Sequence, residues 1–376
     1  MKKVVIILPT YNESGNIDKV ITLLEEDIFP KIKNHDMNIL VADDNSPDGT
    51  ADEVRNLMKK WKNIDLNLGE KKGLGAAYVR GMTYAVEKMG ADIMFEMDAD
   101  GQHDPQKITQ FLQKIDEGND FVIGTRYSNG GSVPSNWPIQ RKAFSIVANL
   151  LVRTIFARFS IHDWTGGYRA LKKEVFLKEK KELENFNGYI FQISFLHKVV
   201  RDKFKVAEVP FLMTDRTLGK SKIAPLGYIF DVLFYVITAR IKELATGSFG
   251  KFLVVGGTGF VIQVVIYQIL VNATKLPLGI DTVLSAQMAI FSNYNLNNLW
   301  TFKERKATNF GQYVLKMAGF FGTSNVGVIV IQSGIVQLGE ILYGRNYPLV
   351  YFVIGTGVLM VWNFGTYSLV IWKKKK

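Results

Sequence analysis

The sequence predicts an α/β domain with a mostly parallel sheet, followed by interfacial helices and a four-helix transmembrane domain. Over residues 1–125, short apolar runs rich in β-branched residues alternate with stretches of helical spacing. This alternation is typical of a parallel sheet covered by helices on both faces. In the last third of the chain, four long stretches contain no charged residue. Each is near or above the roughly 20 residues needed to cross a bilayer.

The elements of the first domain follow from these periodicities. Buried strands are predicted at residues 4–8, 39–41, 93–97 and 121–124. Helices are predicted at residues 16–26, 50–60, 74–89 and 105–117. Thr50 is expected to cap the second helix, and Pro105 suits the first turn of the fourth. In a parallel sheet the ligand site lies at the carboxyl ends of the strands, so polar residues there are expected to converge.

Two further stretches have the composition of helices that contact a membrane. Residues 139–159 are largely apolar but carry Arg141, Lys142, Arg153 and Arg158. This stretch is either an ordinary amphipathic helix on the core or a helix at the bilayer surface, where basic residues meet lipid phosphates. Residues 225–245 are apolar with few charges and are predicted to form an interfacial helix.

The predicted spans and their basic flanks define an orientation. The spans are residues 252–274, 282–302, 317–339 and 346–372. Basic residues cluster before the first span, between the second and third, and after the fourth. This satisfies the positive-inside bias with both termini cytoplasmic. We therefore predict a multi-pass cell-membrane protein with a cytoplasmic catalytic half, divided into domains 1–223, 224–248 and 249–376.

The composition excludes several classes of protein. The formal charge is +11, but the basic clusters lie beside apolar stretches, which indicates a membrane and not nucleic acid. The chain has no cysteine, so a disulfide scaffold is excluded. The four histidines show no zinc spacing, and His103 is expected to be an exposed loop residue. The apolar run after Lys2 and Lys3 is too short for a signal peptide, so no cleaved leader is expected.

Three polar strings follow predicted strands and point to chemistry. They are Pro-Thr-Tyr-Asn-Glu at 9–13, Asp-Asp-Asn-Ser-Pro-Asp-Gly-Thr at 43–50, and Asp-Ala-Asp-Gly-Gln at 98–102. Carboxylates brought close together at the carboxyl ends of the strands repel each other unless a cation lies among them. Asp98 and Asp100 can hold Mg²⁺ or Mn²⁺ together with a diphosphate, and Gln102 adds a neutral oxygen. The strings predict a metal-dependent enzyme acting on a nucleotide diphosphate.

Other polar and basic residues near these strings are predicted to bind the nucleotide donor. Tyr11 could cover a base, Glu13 could accept from base or ribose donors, and Asp44 is better explained as a base or ribose ligand than as a turn residue. Basic residues are expected to complete the site, because Arg and Lys bind phosphate. They are Arg126, at the end of a strand, and Arg216 and Lys222 in a loop. The alternative for that loop is attraction to anionic lipid.

At these residues the chain resembles glycosyltransferase family 2 and, more closely, the dolichyl-phosphate mannose synthases. The resemblance covers roughly residues 3–240. It is carried, in order, by PTYNE, DDNSPDGT, KKGLGAAYVRGM, MDADGQH, GTRY, NWPIQRK, DWTGGYRALKKEV, GYIFQ and DRTLGKSK. The last 125 or so residues resemble the GtrA-like membrane family, notably at residues 297–302.

The resemblance implies a GT-A, Rossmann-like fold and inverting transfer of mannose from GDP-mannose to dolichyl or polyprenyl phosphate, giving a lipid-phosphate mannose donor for glycosylation. By motif, the nucleoside would contact Pro9, Tyr11, Glu13, Ala42 and Asp44. The diphosphate and a divalent metal would meet Asp98, Ala99 and Asp100, with Gln102 also on the metal. Donor phosphates or the sugar would meet Arg126, Arg216 and Lys222. The acceptor phosphate would meet Arg141 and Ser221. Asp98, Asp100 and Arg126 are the candidate catalytic residues.

Two departures from the family pattern leave the sugar less determined than the reaction. Gly166 stands where the family often has serine, and Gly101 stands where mannose synthases frequently have leucine. One alternative is a polyprenyl-phosphate glucosyltransferase using UDP-glucose. Another is a lipid-linked sugar flippase component, against which the intact Asp-x-Asp argues. A processive polysaccharide synthase is disfavoured because its Gln-x-x-Arg-Trp signature is absent.

Overall fold

A computed structural model of the chain describes residues 1–183, 188–214, 226–273, 278–344 and 348–373. The chain divides into two compact units, Met1–Thr238 and Ala239–Lys376. The division falls inside the predicted linker of residues 224–248. The predicted three-domain boundaries themselves stay a prediction.

The amino-terminal unit is built on one seven-stranded sheet. Its strands are β1 (Lys2–Thr10), β2 (His35–Asp43), β3 (Ile64–Leu68), β4 (Ile93–Glu96), β5 (Phe121–Thr125), β6 (Arg169–Lys172) and β7 (Val206–Pro210). Their order is β3-β2-β1-β4-β6-β5-β7. All neighbouring pairs are parallel except those of β6, which runs antiparallel to both β4 and β5. The predicted mostly parallel sheet is confirmed, and β3, β6 and β7 are additions that the sequence analysis did not predict.

Seven helices of this unit lie wholly within its described residues. They are α1 (Ile17–Leu23), α2 (Thr50–Lys60), α3 (Leu74–Glu87), α4 (Ile108–Asp116), α5 (Ile139–Phe156), α6 (Lys173–Leu183) and α7 (Gly188–Arg201). The four predicted helices correspond to α1–α4. The predicted cap of α2 was wrong, because Gly49 holds the capping position at φ +92°. The Thr50 hydroxyl instead donates to the Asp48 carboxylate at 2.6 Å.

A close approach of α3 to the sheet positions one wall of the site. Gly81 faces strands β1 and β2, where a Cβ atom would lie 2.8 Å from Ile7 Cγ2. Real Cβ contacts are not that short, so only glycine permits this packing. Tyr78, one turn earlier on α3, is fully buried. The helix therefore presents its buried face directly over the strands that carry the polar strings.

Helix α5 has two faces of different character. Its inward face buries Asn149, Val152 and Phe156. Its outward face leaves apolar side chains largely exposed, namely Phe144, Val147, Leu150 and Leu151. Packing on the core, one of the two interpretations of this stretch, is therefore observed. The exposed apolar face is the feature that the bilayer interpretation requires.

The carboxy-terminal unit is helical. Helix α8 (Leu226–Thr246) contains the division between the two units. It is followed by α9 (Ser248–Ala273), α10 (Leu278–Leu296), α11 (Phe310–Val326), α12 (Ser333–Tyr343) and α13 (Pro348–Thr366), with π-helical turns after α10, α11 and α13. Helical structure overlaps each of the four predicted spans. Among the residues described, no single helix combines the length and apolar composition for a crossing, whereas Phe230–Thr246 and Ser248–Ile262, bent by 54°, meet that criterion together. The number of crossings stays a prediction.

The interior of this unit is aromatic with paired polar groups. Trp372 is fully buried and stacks on Phe302 with ring centroids 4.7 Å apart. Its indole N–H donates to Asn298 Oδ1 at 3.1 Å. The Tyr313 hydroxyl likewise donates to Asn295 Oδ1 at 2.8 Å. These asparagines thus serve as bonds between elements, which is the usual role of asparagine in an apolar helix.

Candidate active site

The first two polar strings lie side by side at one edge of the sheet. Strands β1 and β2 are parallel, and their register places Pro9 opposite Ala42 and Thr10 opposite Asp43. The Asp44 N–H donates to the Thr10 carbonyl oxygen at 3.0 Å. Strand β4, which precedes the third string, pairs with the other side of β1. The expected convergence at the carboxyl ends of the strands is therefore present.

Three hydrogen bonds connect the first string to the second. Each uses a backbone N–H of residues 12–14 and a side-chain oxygen of residues 46–50: Asn12 to Ser46 Oγ at 3.0 Å, Glu13 to Thr50 Oγ1 at 3.1 Å, and Ser14 to Asp48 Oδ2 at 3.0 Å. Asn12 and Asn45 both have left-handed backbone angles, which asparagine tolerates better than most residues. The two strings consequently form one ordered wall.

Asp43 and Asp44 are adjacent in sequence but have different roles in this wall. The Asp43 carboxylate is fully buried and accepts from Thr10 Oγ1 at 2.8 Å, the Ser46 N–H at 2.9 Å and Ser46 Oγ at 2.5 Å. Asp43 is therefore structural. The Asp44 carboxylate lies 3.0 Å from Arg80 Nη2. Burial raises the pKa of Asp44, against the opposing effect of Arg80.

Arg80 is a site residue that the sequence analysis did not single out. Its Nε donates to Asn67 Oδ1 at 2.9 Å, and its Nη2 donates to the Asp43 carbonyl oxygen at 3.2 Å as well as to Asp44. Gly69 makes room for it, since a Cβ there would lie 2.4 Å from the guanidinium. The signal available was an arginine within the buried face of the Gly73–Met82 helical motif, where a charge needs a partner.

Tyr11 has the exposure expected of a residue that covers a ligand. Its side chain is 39% exposed, and Lys71 Nζ lies 3.3 Å from its ring centroid. A cation over an aromatic face is an attractive contact. Lys71 was not predicted as a site residue, although it stands in the Lys-Lys-Gly motif that precedes α3.

The third string forms a tight loop after β4. The Asp98 N–H donates to His103 Nδ1 at 3.0 Å, and Asp98 Oδ1 accepts from the Tyr78 hydroxyl at 3.2 Å. The Gln102 N–H donates to Asp100 Oδ1 at 3.1 Å. Gly101 has φ +76°, a left-handed conformation that favours glycine. Asp98 keeps about a third of its side chain exposed, at 33%.

The expectation that His103 is an exposed loop residue was wrong. His103 is only 3% exposed and stacks on Tyr168 with centroids 4.8 Å apart. Burial lowers its pKa to about 4, so the imidazole is neutral at neutral pH. Because Nδ1 accepts a hydrogen bond, the proton of the neutral ring is on Nε2. The residue is missed by sequence reasoning because its stacking partner is about 65 residues away.

The donor set of this loop fits a hard divalent cation. Two carboxylates and one amide, from Asp98, Asp100 and Gln102, supply only oxygen ligands. The side-chain amide N–H of Gln102 donates to the Thr214 carbonyl oxygen at 3.2 Å, so the side-chain amide oxygen is the atom suited to a cation. No group of three or more His, Cys, Asp or Glu side chains is arranged for a metal within the described ranges. Mg²⁺ typically takes one or two carboxylates plus substrate phosphates, which this set matches.

Arg126 directly follows β5 and is paired with a carboxylate that was not predicted. Its Nε and Nη2 donate to the two oxygens of Asp163 at 2.7 and 2.8 Å, and Nη2 also donates to Thr165 Oγ1 at 2.8 Å. Asp163 is 1% exposed. Burial acts to raise the pKa of Asp163, but the Arg126 charge and hydrogen bonds hold it below its usual value. The guanidinium plane is thereby fixed.

Of the two predicted acceptor residues, Arg141 lies within the described residues. Arg141, in the first turn of α5, lies with its guanidinium carbon 3.5 Å from the centroid of the Trp137 ring. Arg216, Ser221 and Lys222 lie outside the described residues. A Cβ at Gly166 would lie 3.2 Å from the Gly124 carbonyl oxygen, so a serine there would need its neighbours to shift.

Comparisons with known proteins agree with this architecture. Residues 5–178 match glycosyl transferase family 2, and residues 251–372 match the GtrA/DPMS transmembrane domain. The chain is 38% identical over 226 residues to the polyprenol monophosphomannose synthase of Mycolicibacterium smegmatis, covering 59% of this chain and 82% of that protein. It is 32% identical over 316 residues to the dolichol-phosphate mannosyltransferase of Pyrococcus furiosus, covering 84% and 85%.

Two further proteins match, one by sequence and one by structure. The undecaprenyl-phosphate mannosyltransferase of Micrococcus luteus is 34% identical over 223 residues, covering 59% of this chain and 88% of that protein. The glucosyl-3-phosphoglycerate synthase of Mycobacterium tuberculosis, solved with Mn²⁺, UDP and phosphoglyceric acid, superimposes with a TM-score of 0.46 at 16% identity, covering 64% of this chain and 78% of that one.

A mostly parallel sheet with acidic strings at the carboxyl ends of adjacent strands defines, with these matches, a glycosyltransferase of the GT-A fold. The chain belongs to glycosyltransferase family 2, in the form that carries a GtrA/DPMS transmembrane domain after the catalytic domain.

Proposed function

We propose that this enzyme transfers mannose from GDP-mannose to a dolichyl or polyprenyl phosphate at the cytoplasmic membrane face, with a divalent cation and inversion at the anomeric carbon. The observation that carries the proposal is the meeting of the two nucleoside strings and the Asp98–Gln102 loop at the ends of adjacent strands β2, β1 and β4. The similarity to three proteins named as mannosyl synthases or transferases, each covered by at least 82%, supports mannose as the sugar.

The wall formed by the first two hydrogen-bonded strings is proposed to bind the nucleoside. Tyr11 covers the base, while Glu13 and Asp44 accept from base or ribose donors, and Pro9 and Ala42 supply the backbone edge. Arg80 holds the Asp44 carboxylate in place through the 3.0 Å contact. Because Asp44 is already oriented before the ligand arrives, less ordering entropy is lost on binding.

The loop after β4 is proposed to hold the diphosphate. Asp98, Asp100 and Gln102 would bind Mg²⁺ or Mn²⁺, and Ala99 would lie against the diphosphate. When bound, the cation offsets charge on the departing nucleotide diphosphate. Asp163 orients the Arg126 guanidinium, which we propose meets the donor phosphates or the sugar. Arg216 and Lys222 are proposed to complete the cationic side.

The acceptor phosphate is proposed to attack the sugar without a protein general base. A phosphate monoester has a second pKa near 6, so it is largely ionised at neutral pH. The residues of the site then act by positioning and by separating two anionic reactants. Arg141 and Ser221 are proposed to bind the acceptor phosphate. The exposed apolar face of α5, which begins beside Arg141, is suited to contact the bilayer that contains the acceptor.

A donor titration tests this proposal. Purified full-length protein with polyprenyl phosphate is titrated with GDP-mannose and, in parallel, with UDP-glucose, and lipid-linked sugar is measured. We expect transfer with GDP-mannose, abolished by EDTA and restored by Mn²⁺ or Mg²⁺. Transfer from UDP-glucose alone would establish the glucosyltransferase alternative. Lipid translocation without any sugar transfer would favour the flippase alternative.

A further inference from the structure

We propose that Tyr78 and His103 are positioning residues that clamp Asp98 from two sides and preset its carboxylate for the divalent cation. This inference rests on the proposed function, because it concerns the same loop. Neither residue is adjacent to Asp98 in sequence, and they come from different elements. Tyr78 lies on helix α3, and His103 follows the loop itself.

Tyr78 holds the side chain of Asp98. Its hydroxyl donates to Asp98 Oδ1 at 3.2 Å. The phenol ring is fully buried and lies parallel to the Phe191 ring, with centroids 6.1 Å apart and planes 7° apart. The close approach of α3 at Gly81 holds the helix against the sheet. A rigid donor on one carboxylate oxygen limits rotation of the carboxylate, whose other oxygen, Oδ2, lies 3.8 Å from His103 Nε2.

His103 holds the backbone of the same residue. Its Nδ1 accepts from the Asp98 N–H at 3.0 Å. The imidazole is confined between Tyr168, stacked at 4.8 Å, and the edge of Phe211 at 5.9 Å. Tyr168 is itself tied to the loop, since its hydroxyl donates to the Asp104 carbonyl oxygen at 3.1 Å. The backbone of Asp98 is thus anchored to the core.

The clamp matters because Asp98 is the more exposed of the two candidate carboxylates. Its side chain is 33% exposed, whereas Asp100 is 4% exposed as a residue. An unheld carboxylate loses rotamer freedom when it binds a cation, which weakens binding. Hydrogen-bond partners behind a metal ligand typically contribute about 10- to 100-fold in affinity. Neither Tyr78 nor His103 needs to touch the cation for this effect.

The test measures cation binding separately from catalysis. Full-length protein in detergent is titrated with Mn²⁺ in the presence of saturating GDP, and free Mn²⁺ is followed by electron paramagnetic resonance, with the series repeated in UDP. Tyr78→Phe keeps the ring and removes the hydroxyl. His103→Phe keeps the stacking and removes the acceptor, while His103→Asn places an amide oxygen close to the position of Nδ1.

The matched control is Tyr84→Phe. Tyr84 is on the same helix, and its hydroxyl donates to Asp65 Oδ2 at 3.0 Å, away from the loop. We expect Tyr78→Phe and His103→Phe each to raise the Mn²⁺ Kd about 10-fold. His103→Asn should recover most of the affinity, and Tyr84→Phe should match the wild type. Thermal unfolding of each variant reports folding independently.

Three results would overturn the clamp. One is a Kd within twofold of wild type in both Tyr78→Phe and His103→Phe. Another is His103→Asn binding as weakly as His103→Phe, which would assign the effect to ring packing. The third is a wild-type protein that binds no Mn²⁺ with either nucleotide, and this result alone would also remove the metal from the proposed function.

Discussion

Strands β2 and β4 are both followed by acidic strings, but the carboxylates of these strings differ in burial and in hydrogen bonding. At the end of β2, Asp43 is fully buried and its oxygens accept from Thr10 and Ser46. At the end of β4, Asp98 remains one-third exposed, with one oxygen held by Tyr78. The first carboxylate organises a turn. The second keeps part of its surface open to solvent, and we propose it as a cation ligand.

The difference teaches how an acidic residue at a strand end is to be interpreted. A buried carboxylate is stable only when hydrogen bonds or charges compensate its lost hydration. Asp43 obtains that compensation from its own neighbours, so it needs no cation. Asp98 and Asp100 are joined by an amide from Gln102, a set that has the composition of a cation site. Three predictions test this contrast, from the largest expected effect to the smallest.

Removing a carboxylate of the β4 loop should abolish transfer without unfolding the protein. We expect Asp98→Ala and Asp100→Ala each to lower kcat/KM about 1000-fold, because each removes a cation ligand worth several kcal/mol in the transition state. The measurement is sugar transfer from GDP-mannose to polyprenyl phosphate, with thermal unfolding as the control for folding. Either variant with activity close to wild type would contradict the assignment of this loop as the diphosphate and metal site.

Removing Asp43 should instead cost stability. Asp43→Ala leaves the Thr10 and Ser46 hydroxyls and the Ser46 N–H without their acceptor, at a cost of about 2 kcal/mol. For a unit of this size that corresponds to a fall in Tm of about 4–8 °C. Donor KM measured well below the Tm should change less than in Asp44→Ala. A stable Asp43→Ala protein with lost donor binding would reverse the roles given to the two residues.

The pairing of Asp163 with Arg126 should appear in the acid dependence of stability. The pKa of Asp163 is lowered in the folded state, so near this pKa the folded protein binds fewer protons at this carboxyl than the unfolded chain does. Its contribution is complete above the unfolded pKa of about 3.9 and is lost as pH falls through the lower folded value. Asp163→Asn should be less stable at pH 7 but lose less stability than wild type between pH 5 and pH 3. Parallel losses in denaturant midpoints would refute the coupling.

Much of the architecture was accessible because it depends on local patterns. The runs ending at Leu8 and Gly124 are apolar and bounded by polar turns, so β1 and β5 were predicted close to their observed positions. Strand β3 was missed because Ile64–Leu68 is short and only its first residue is buried. Strand β6 was missed because its antiparallel insertion between β4 and β5 depends on pairs of residues 46 to 79 positions apart.

By itself the sequence determined the α/β class, the placement of three polar strings at strand ends and the family, because each depends on residue types at fixed spacing. Tertiary structure decided which side chains meet. It paired Asp44 with Arg80, Arg126 with Asp163 and Asp98 with Tyr78. It also buried His103, which spacing alone suggested was exposed. Hydrogen bonds act over about 3 Å, whereas these partners are up to 37 residues apart, so only the folded chain brings them within reach.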